Sequence, residues 1–177
     1  MENRQLNFED KSQKYLKLPL RIVLDNVEDR MNVGMMFRLS DALGVEKVMI
    51  CGTSPTPPNK MISRTARATD RHVPFQYFEN VVDCIQHLQA EGFKVFALEI
   101  TNLSEDISKI PFQNYPKVAI LVGAEFDGVS AAALAAVDGS VHIPMHGMGF
   151  SMNVACSLAI GLYEVSLKMK QNLSNEN

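Results

Sequence analysis

The stretch KVAILVGAEFDGVS, residues 117–130, carries the clearest strand signal in the chain. Val118 to Val122 run without a polar interruption between Lys117 and Gly123. A strand with one wet face alternates apolar and polar residues, whereas an unbroken apolar run reads as a strand covered on both faces. RIVLD (21–25), KVMIC (47–51) and KVFALEI (94–100) repeat the pattern, SVHIPM (140–145) is a last strand, and FQYF (75–78) is a short edge strand. Helical patterns separate them. NVGMMFRLSDALG stops at Gly44, and ENVVDCIQHLQAEG places Val81, Val82, Ile85 and Leu88 on one side and ends at Gly92. SAAALAAV is a short helix, and a final helix runs from about 151 to 170, with Ser151 as a candidate N-cap. Strands alternating with helices predict an α/β fold, a mostly parallel sheet with helices on both faces.

With 177 residues the chain is long enough for one real core. The expected division is an N-terminal extension (1–20), one domain (21–170) and a flexible tail (171–177). No apolar run approaches the roughly 20 residues of a membrane span. The segment MENRQLNFEDKSQKYLKLPL lacks a basic start followed by an apolar run, so the cytoplasm is expected. Three scattered cysteines, Cys51, Cys84 and Cys156, support neither a disulfide framework nor a metal site.

The net charge of −3 does not mark a nucleic-acid binder, but the charge is segregated. NKMISRTARATDR (59–71) carries Lys60, Arg64, Arg67 and Arg71, which share one face if the segment is one helix. Such a stripe suits phosphates, or is simply solvated. In open α/β sheets ligands bind beyond the carboxyl ends of the strands. The loops there are NVEDRMN, TNLSED, GAEFDG and PMHGMGFSMN. They contain no dinucleotide-binding glycine pattern, phosphate loop or nucleophile elbow.

Single residues keep two readings. Arg38 sits among apolar neighbours on a helix that reads as buried, and is either paired with Asp41 or functional. Asn32 is a helix N-cap or a site residue, Glu125 a loop carboxylate or a site residue. The four histidines read as surface or core.

Three segments together resemble the motifs of the SpoU/TrmH-type RNA 2′-O-ribose methyltransferases of the SPOUT superfamily. They are NVEDRMNVGMMFRLSDALGVEKV, ILVGAEFDGVS and HIPMHGMGFSMNVACSLAIGLYE, in order over residues 21–164. The resemblance implies an α/β knot whose C-terminal segment forms a trefoil, a homodimer, and S-adenosylmethionine (AdoMet) as cofactor. The matching positions are Asn32, Arg38, Glu125, Ser151 and Asn153 for catalysis. Leu98, Glu99, Gly123, Ile143, Met145 and Met152 would hold the cofactor, with Lys60, Arg64, Arg67 and Arg71 contacting RNA; no metal is implied. The motif flanks resemble the tRNA-modifying branch, and within it enzymes acting on a D-loop guanosine. An rRNA methyltransferase, or an idle RNA- or AdoMet-binding module of the same fold, are the alternatives. Arg38 is always cationic, so its implied role is to orient ribose and phosphate rather than to act as a base. Basic residues near the ends, Lys11, Lys14, Lys17, Lys168 and Lys170, could add RNA affinity.

Overall fold

The computed structural model describes residues 3–5 and 16–175, so Lys11, Lys14 and the end of the tail lie outside the described residues. The strands β1 (Leu20–Asp25), β2 (Lys47–Cys51), β3 (Phe75–Phe78), β4 (Lys94–Leu98), β5 (Glu105–Asp106), β6 (Val118–Val122) and β7 (Gly139–His142) form one sheet. Its order is β3-β2-β1-β6-β4-β7-β5, and each pairing is parallel. The helices are α1 (Arg30–Leu43), α2 (Lys60–Ala66), α3 (Val81–Ala90), α4 (Ala131–Ala136) and α5 (Val154–Asn175).

The two-residue period of each strand sends alternate side chains into two cores. Ile22, Leu24, Ile50, Ile120 and Val122 pack with Phe37 of α1, Ile62 of α2 and Leu158 and Leu162 of α5. Val23, Met49, Ala97 and Leu121 pack on the other side with Ile85 and Leu88 of α3 and Ala133 of α4. Each large side chain so enclosed contributes roughly 1.5–3 kcal/mol. This is the α/β sheet covered on both faces that the apolar runs predict. With β6 between β1 and β4, and β7 beyond β4, the connectivity is consistent with the expected knot.

Asp29, not Asn32, caps α1, its Oδ1 accepting the Met31 amide at 2.8 Å. The helix stops at Gly44, where φ of 72° favours glycine. Arg38 is exposed rather than buried, and Asp41 pairs instead with His72 at 2.9 Å. The reason lies in what covers the helix. Met31, Met35 and Arg38 follow one another at offsets of four and three, and the two methionines are 50% and 41% exposed. An apolar stripe of α1 therefore has no cover among the described residues.

The basic segment is not one helix either. Arg67 and Ala68 take left-handed φ values of 53° and 70° after α2, and a 3₁₀ turn follows over Thr69–Arg71. The bend lets Ser63 Oγ donate to the buried Asp70 at 2.6 Å and Thr69 Oγ1 donate to the Ala66 carbonyl at 2.7 Å. Lys60, Arg64, Arg67 and Arg71 are all exposed, but only Lys60 and Arg64 share a helical face.

The last helix begins at Val154, so Ser151 is not its cap. Asn153 Oδ1 accepts the amides of Ala155 (2.9 Å) and Cys156 (3.2 Å). The helix continues past residue 170 to Asn175. Among the described residues no helix is long and apolar enough to cross a membrane, and no cluster of three or more ligating side chains could hold a metal.

Candidate active site

Parallel strands deliver their following loops to one edge of the sheet. The loops after β4, β6 and β7 meet there around one cleft. Leu98, Glu99, Gly123, Ile143, Met145 and Met152 all line it, together with Glu125 and Ser151.

The loop after β6 is fixed from both sides. Ala124 and Gly128 exchange two backbone hydrogen bonds of 3.0 Å, which makes residues 125–127 its tip. Glu99 accepts the Val129 amide through Oε2 (3.0 Å) and the Ile100 amide through Oε1 (2.9 Å). Asp25, buried at the end of β1, accepts the Ser130 amide at 2.9 Å and Asn26 Nδ2 at 2.9 Å. Gly123 is required because a Cβ there would run into the backbone of Gly128 and Val129. The polypeptide itself forms this wall of the cleft.

Three side chains from three segments converge on the tip. Asn153 Nδ2 donates to Glu125 Oε1 (3.1 Å) and to Asn32 Oδ1 (3.2 Å), and Asn32 Nδ2 donates to Glu125 Oε2 at 3.4 Å. Asn32 is 4% exposed, while Glu125 and Asn153 are open to solvent. Each amide both donates and accepts, so one carboxylate and two amides hold each other in place.

Arg38 and Ser151 stand outside this cluster. Arg38 lies six residues along α1 from Asn32, about 9 Å of helix rise, on the exposed stripe. No hydrogen-bond partner stands beside it among the described residues. Ser151 faces the cleft without joining the three-residue network. Lys60, Arg64, Arg67 and Arg71 lie on α2 and the turn after it, and none lines the cleft.

Other cleft residues carried no sequence signal. His142 lines the cleft with Nδ1 3.0 Å from Ser104 Oγ, and Phe126 and Phe150 stand at its rim. Only their position after a strand end could have marked them. Asp25 was legible only as a strand residue, since its partner Ser130 is 105 positions away.

The donor set suits AdoMet. Leu98, Ile100, Ile143 and Met152 offer an apolar surface for an adenine ring, backbone groups of the loop after β6 offer donors and acceptors, and Glu99 and Glu125 offer negative charge to a cationic molecule.

The profile of the SpoU rRNA Methylase family matches residues 19–163. The chain belongs to this family. It is 34% identical over 146 residues to a tRNA (guanosine(18)-2′-O)-methyltransferase of Thermus thermophilus, covering 82% of this chain and 73% of the relative. It is 31% identical over 147 residues to a 23S rRNA (guanosine(2553)-2′-O)-methyltransferase of Bacillus subtilis, covering 81% of this chain. The chain spans 56% of that relative's length. Among solved structures, an AdoMet-bound rRNA methyltransferase from Sinorhizobium meliloti superposes with a TM-score of 0.77 at 26% identity, over 86% of this chain and 60% of that one. A tRNA-modifying TrmH/SpoU enzyme of A. aeolicus gives 0.79 at 24% identity, over 89% of this chain and 78% of that one, a likeness of fold.

Proposed function

We propose that this protein transfers a methyl group from AdoMet to a ribose 2′-hydroxyl of RNA, with a D-loop guanosine of tRNA as target, in the cytoplasm. The observation that carries this reading is the Asn32–Glu125–Asn153 cluster, three residues from three separated motifs, set beside a cleft containing all six expected cofactor residues. The tRNA target is supported by the Thermus relative, a tRNA guanosine 2′-O-methyltransferase; the Bacillus relative supports rRNA as a second reading.

When bound, AdoMet supplies an electrophilic methyl group on a cationic sulfur. Leu98, Ile143, Met145 and Met152 would hold it, with Glu99 and the backbone around Gly123 shaping the pocket. The task left to the chain is orientation, because an attacking oxygen must line up with the methyl carbon and its leaving sulfur. Glu125, held by two amides, offers an acceptor toward the ribose hydroxyl. Ser151 adds a hydroxyl to the same wall. Arg38 would grip the adjoining phosphate with its planar fork and favour negative charge developing on the oxygen.

The exposed position of Arg38 supports a homodimer. Ile160, Tyr163 and Leu167 of α5 are 45%, 58% and 42% exposed and lie on one helical face. Together with the exposed Met31 and Met35 of α1 they give apolar side chains for a second copy to cover, and Arg38 would then serve a cleft brought by that copy. The basic residues Lys60, Arg64, Arg67 and Arg71 would hold RNA phosphates. Tritiated AdoMet offered with purified tRNA and rRNA fractions, followed by nuclease mapping of the label, tests the reading. Label confined to rRNA would replace the tRNA target, and cofactor binding without label in either fraction would indicate an idle module.

A further inference from the structure

We propose that Phe126 and Phe150 form a stacking platform for the nucleobase of the nucleotide whose ribose enters the cleft; the proposal rests on the methyltransferase reading above. Phe126 is 97% exposed and Phe150 92% exposed, although both line the cleft, one from the loop after β6 and one from the loop before α5. Met148, 99% exposed, belongs to the second of these loops. Neither ring contacts another aromatic ring or a cation among the described residues. Large apolar groups left in water at the mouth of a polar-rimmed cleft mark a surface made for a ligand.

Covalent geometry selects the occupant. Phe126 follows Glu125 directly, and Phe150 precedes Ser151 and lies three residues before Asn153. A ribose held at the Asn32–Glu125–Asn153 cluster carries its base on the carbon next to the one bearing the 2′-hydroxyl. In this proposal that base is received by the two phenyl rings, which neighbour Glu125 and Ser151 in the chain and line the same cleft. Aromatic side chains hold single-stranded bases by their faces. Phosphates suit the rings poorly, and the basic residues Lys60, Arg64, Arg67 and Arg71 lie away from this rim.

Two consequences follow from the chemistry of a phenyl ring. It has no donor or acceptor for a base edge, so the platform grips any base and leaves base choice to other groups. It also competes with the neighbouring bases of the RNA, so the target nucleotide must be unstacked, in a loop or extruded on binding.

The test compares the binding of a labelled short oligoadenylate with that of an equally long abasic ribose-phosphate chain, by fluorescence anisotropy on the full-length protein. Wild type is expected to prefer the oligoadenylate, and Phe126→Ala combined with Phe150→Ala to reduce that preference by about tenfold or more. Phe150→Tyr restores the preference and Phe150→Leu does not, which separates ring stacking from simple apolar cover. Thermal unfolding at the wild-type temperature and an unchanged far-UV circular dichroism spectrum show that all variants are folded. With an RNA the enzyme methylates, the alanine variants raise KM more than they lower kcat. The platform is overturned if wild type binds both chains equally, if the alanine variants keep the preference, or if they turn a wild-type dimer into a monomer. Wild type that shows the preference but methylates no RNA counts against the proposed function alone. Methylation with an unchanged KM in the alanine variants counts against the platform alone.

Discussion

Asn153 and Glu125, 28 residues apart in the chain, are joined by a 3.1 Å hydrogen bond between the start of α5 and the loop after β6. The other end of the same amide caps α5. One side chain thus sets both the direction of the last helix and the position of the carboxylate.

These two duties can be separated. Asn153→Ala is expected to lose about 1 kcal/mol of stability with the cap and to lose methyl transfer as well. Asn153→Ser keeps a capping oxygen but has no amide to hold Glu125. It should unfold near the wild-type temperature while methyl transfer falls by about a hundredfold, the cost of a misplaced site. Thermal unfolding and single-turnover methylation, measured on both variants, check the split.

Gly123→Ala places a methyl group against the backbone of Gly128 and Val129, which cannot step aside as a flexible side chain could. It should weaken AdoMet binding by about tenfold or more, since displacing a packed loop costs on the order of 1–3 kcal/mol. Gly147→Ala, in the loop after β7, meets no atom within 4 Å and should bind like wild type. Calorimetric titration of both variants with AdoMet provides the comparison.

The parts of the fold legible in the sequence were those whose burial leaves a local trace. Val118–Val122 and Val48–Cys51 announce themselves because a strand covered on both faces must be apolar where it is buried. Gly44 marks the end of α1 because a left-handed residue there favours glycine. Glu105–Asp106 was not legible as β5, since two polar residues become a strand only by pairing with Val141 and His142. The break after α2 falls on Arg67 and Ala68, neither of which signals a left-handed turn. Arg38 looked buried because apolar neighbours surround it in sequence, yet which side of a helix is covered depends on what packs against it. Asn32, Glu125 and Asn153 were legible through their motifs. Their mutual hydrogen bonds, spanning up to 121 residues, were not.

Arg38 offers a test of the homodimer. If Arg38 serves the cleft of the second copy, Arg38→Ala and Glu125→Gln proteins are each inactive alone. After subunit exchange, random pairing makes half the dimers mixed, each with one intact site, and about a quarter of wild-type activity should return. No recovery after proven exchange would place Arg38 in its own subunit's site.

Asp138 ties the entrance of β7 to β4. Burial pushes its carboxyl up, but Lys94 Nζ (2.8 Å), the Val95 amide (3.0 Å) and Gln89 Nε2 (3.1 Å) outweigh burial and hold it below the usual carboxylate range. A lowered folded value means stability that is present above the unfolded pKa and lost as pH falls through the folded one. Asp138→Asn should therefore cost about 1 kcal/mol at neutral pH, allowing for solvent screening, and the gap should narrow below about pH 4. Denaturant unfolding of both proteins across that range measures it.

Methyl transfer to a ribose oxygen is read out by alkaline hydrolysis of RNA labelled from tritiated AdoMet. A methylated 2′-oxygen cannot attack its neighbouring phosphodiester, so label placed there survives alkali in dinucleotides. The expected result is alkali-stable label in tRNA with the wild type, and its loss in Arg38→Ala while AdoMet binding persists. Label released in mononucleotides, or no label in any RNA from a protein that binds AdoMet, would contradict the claim.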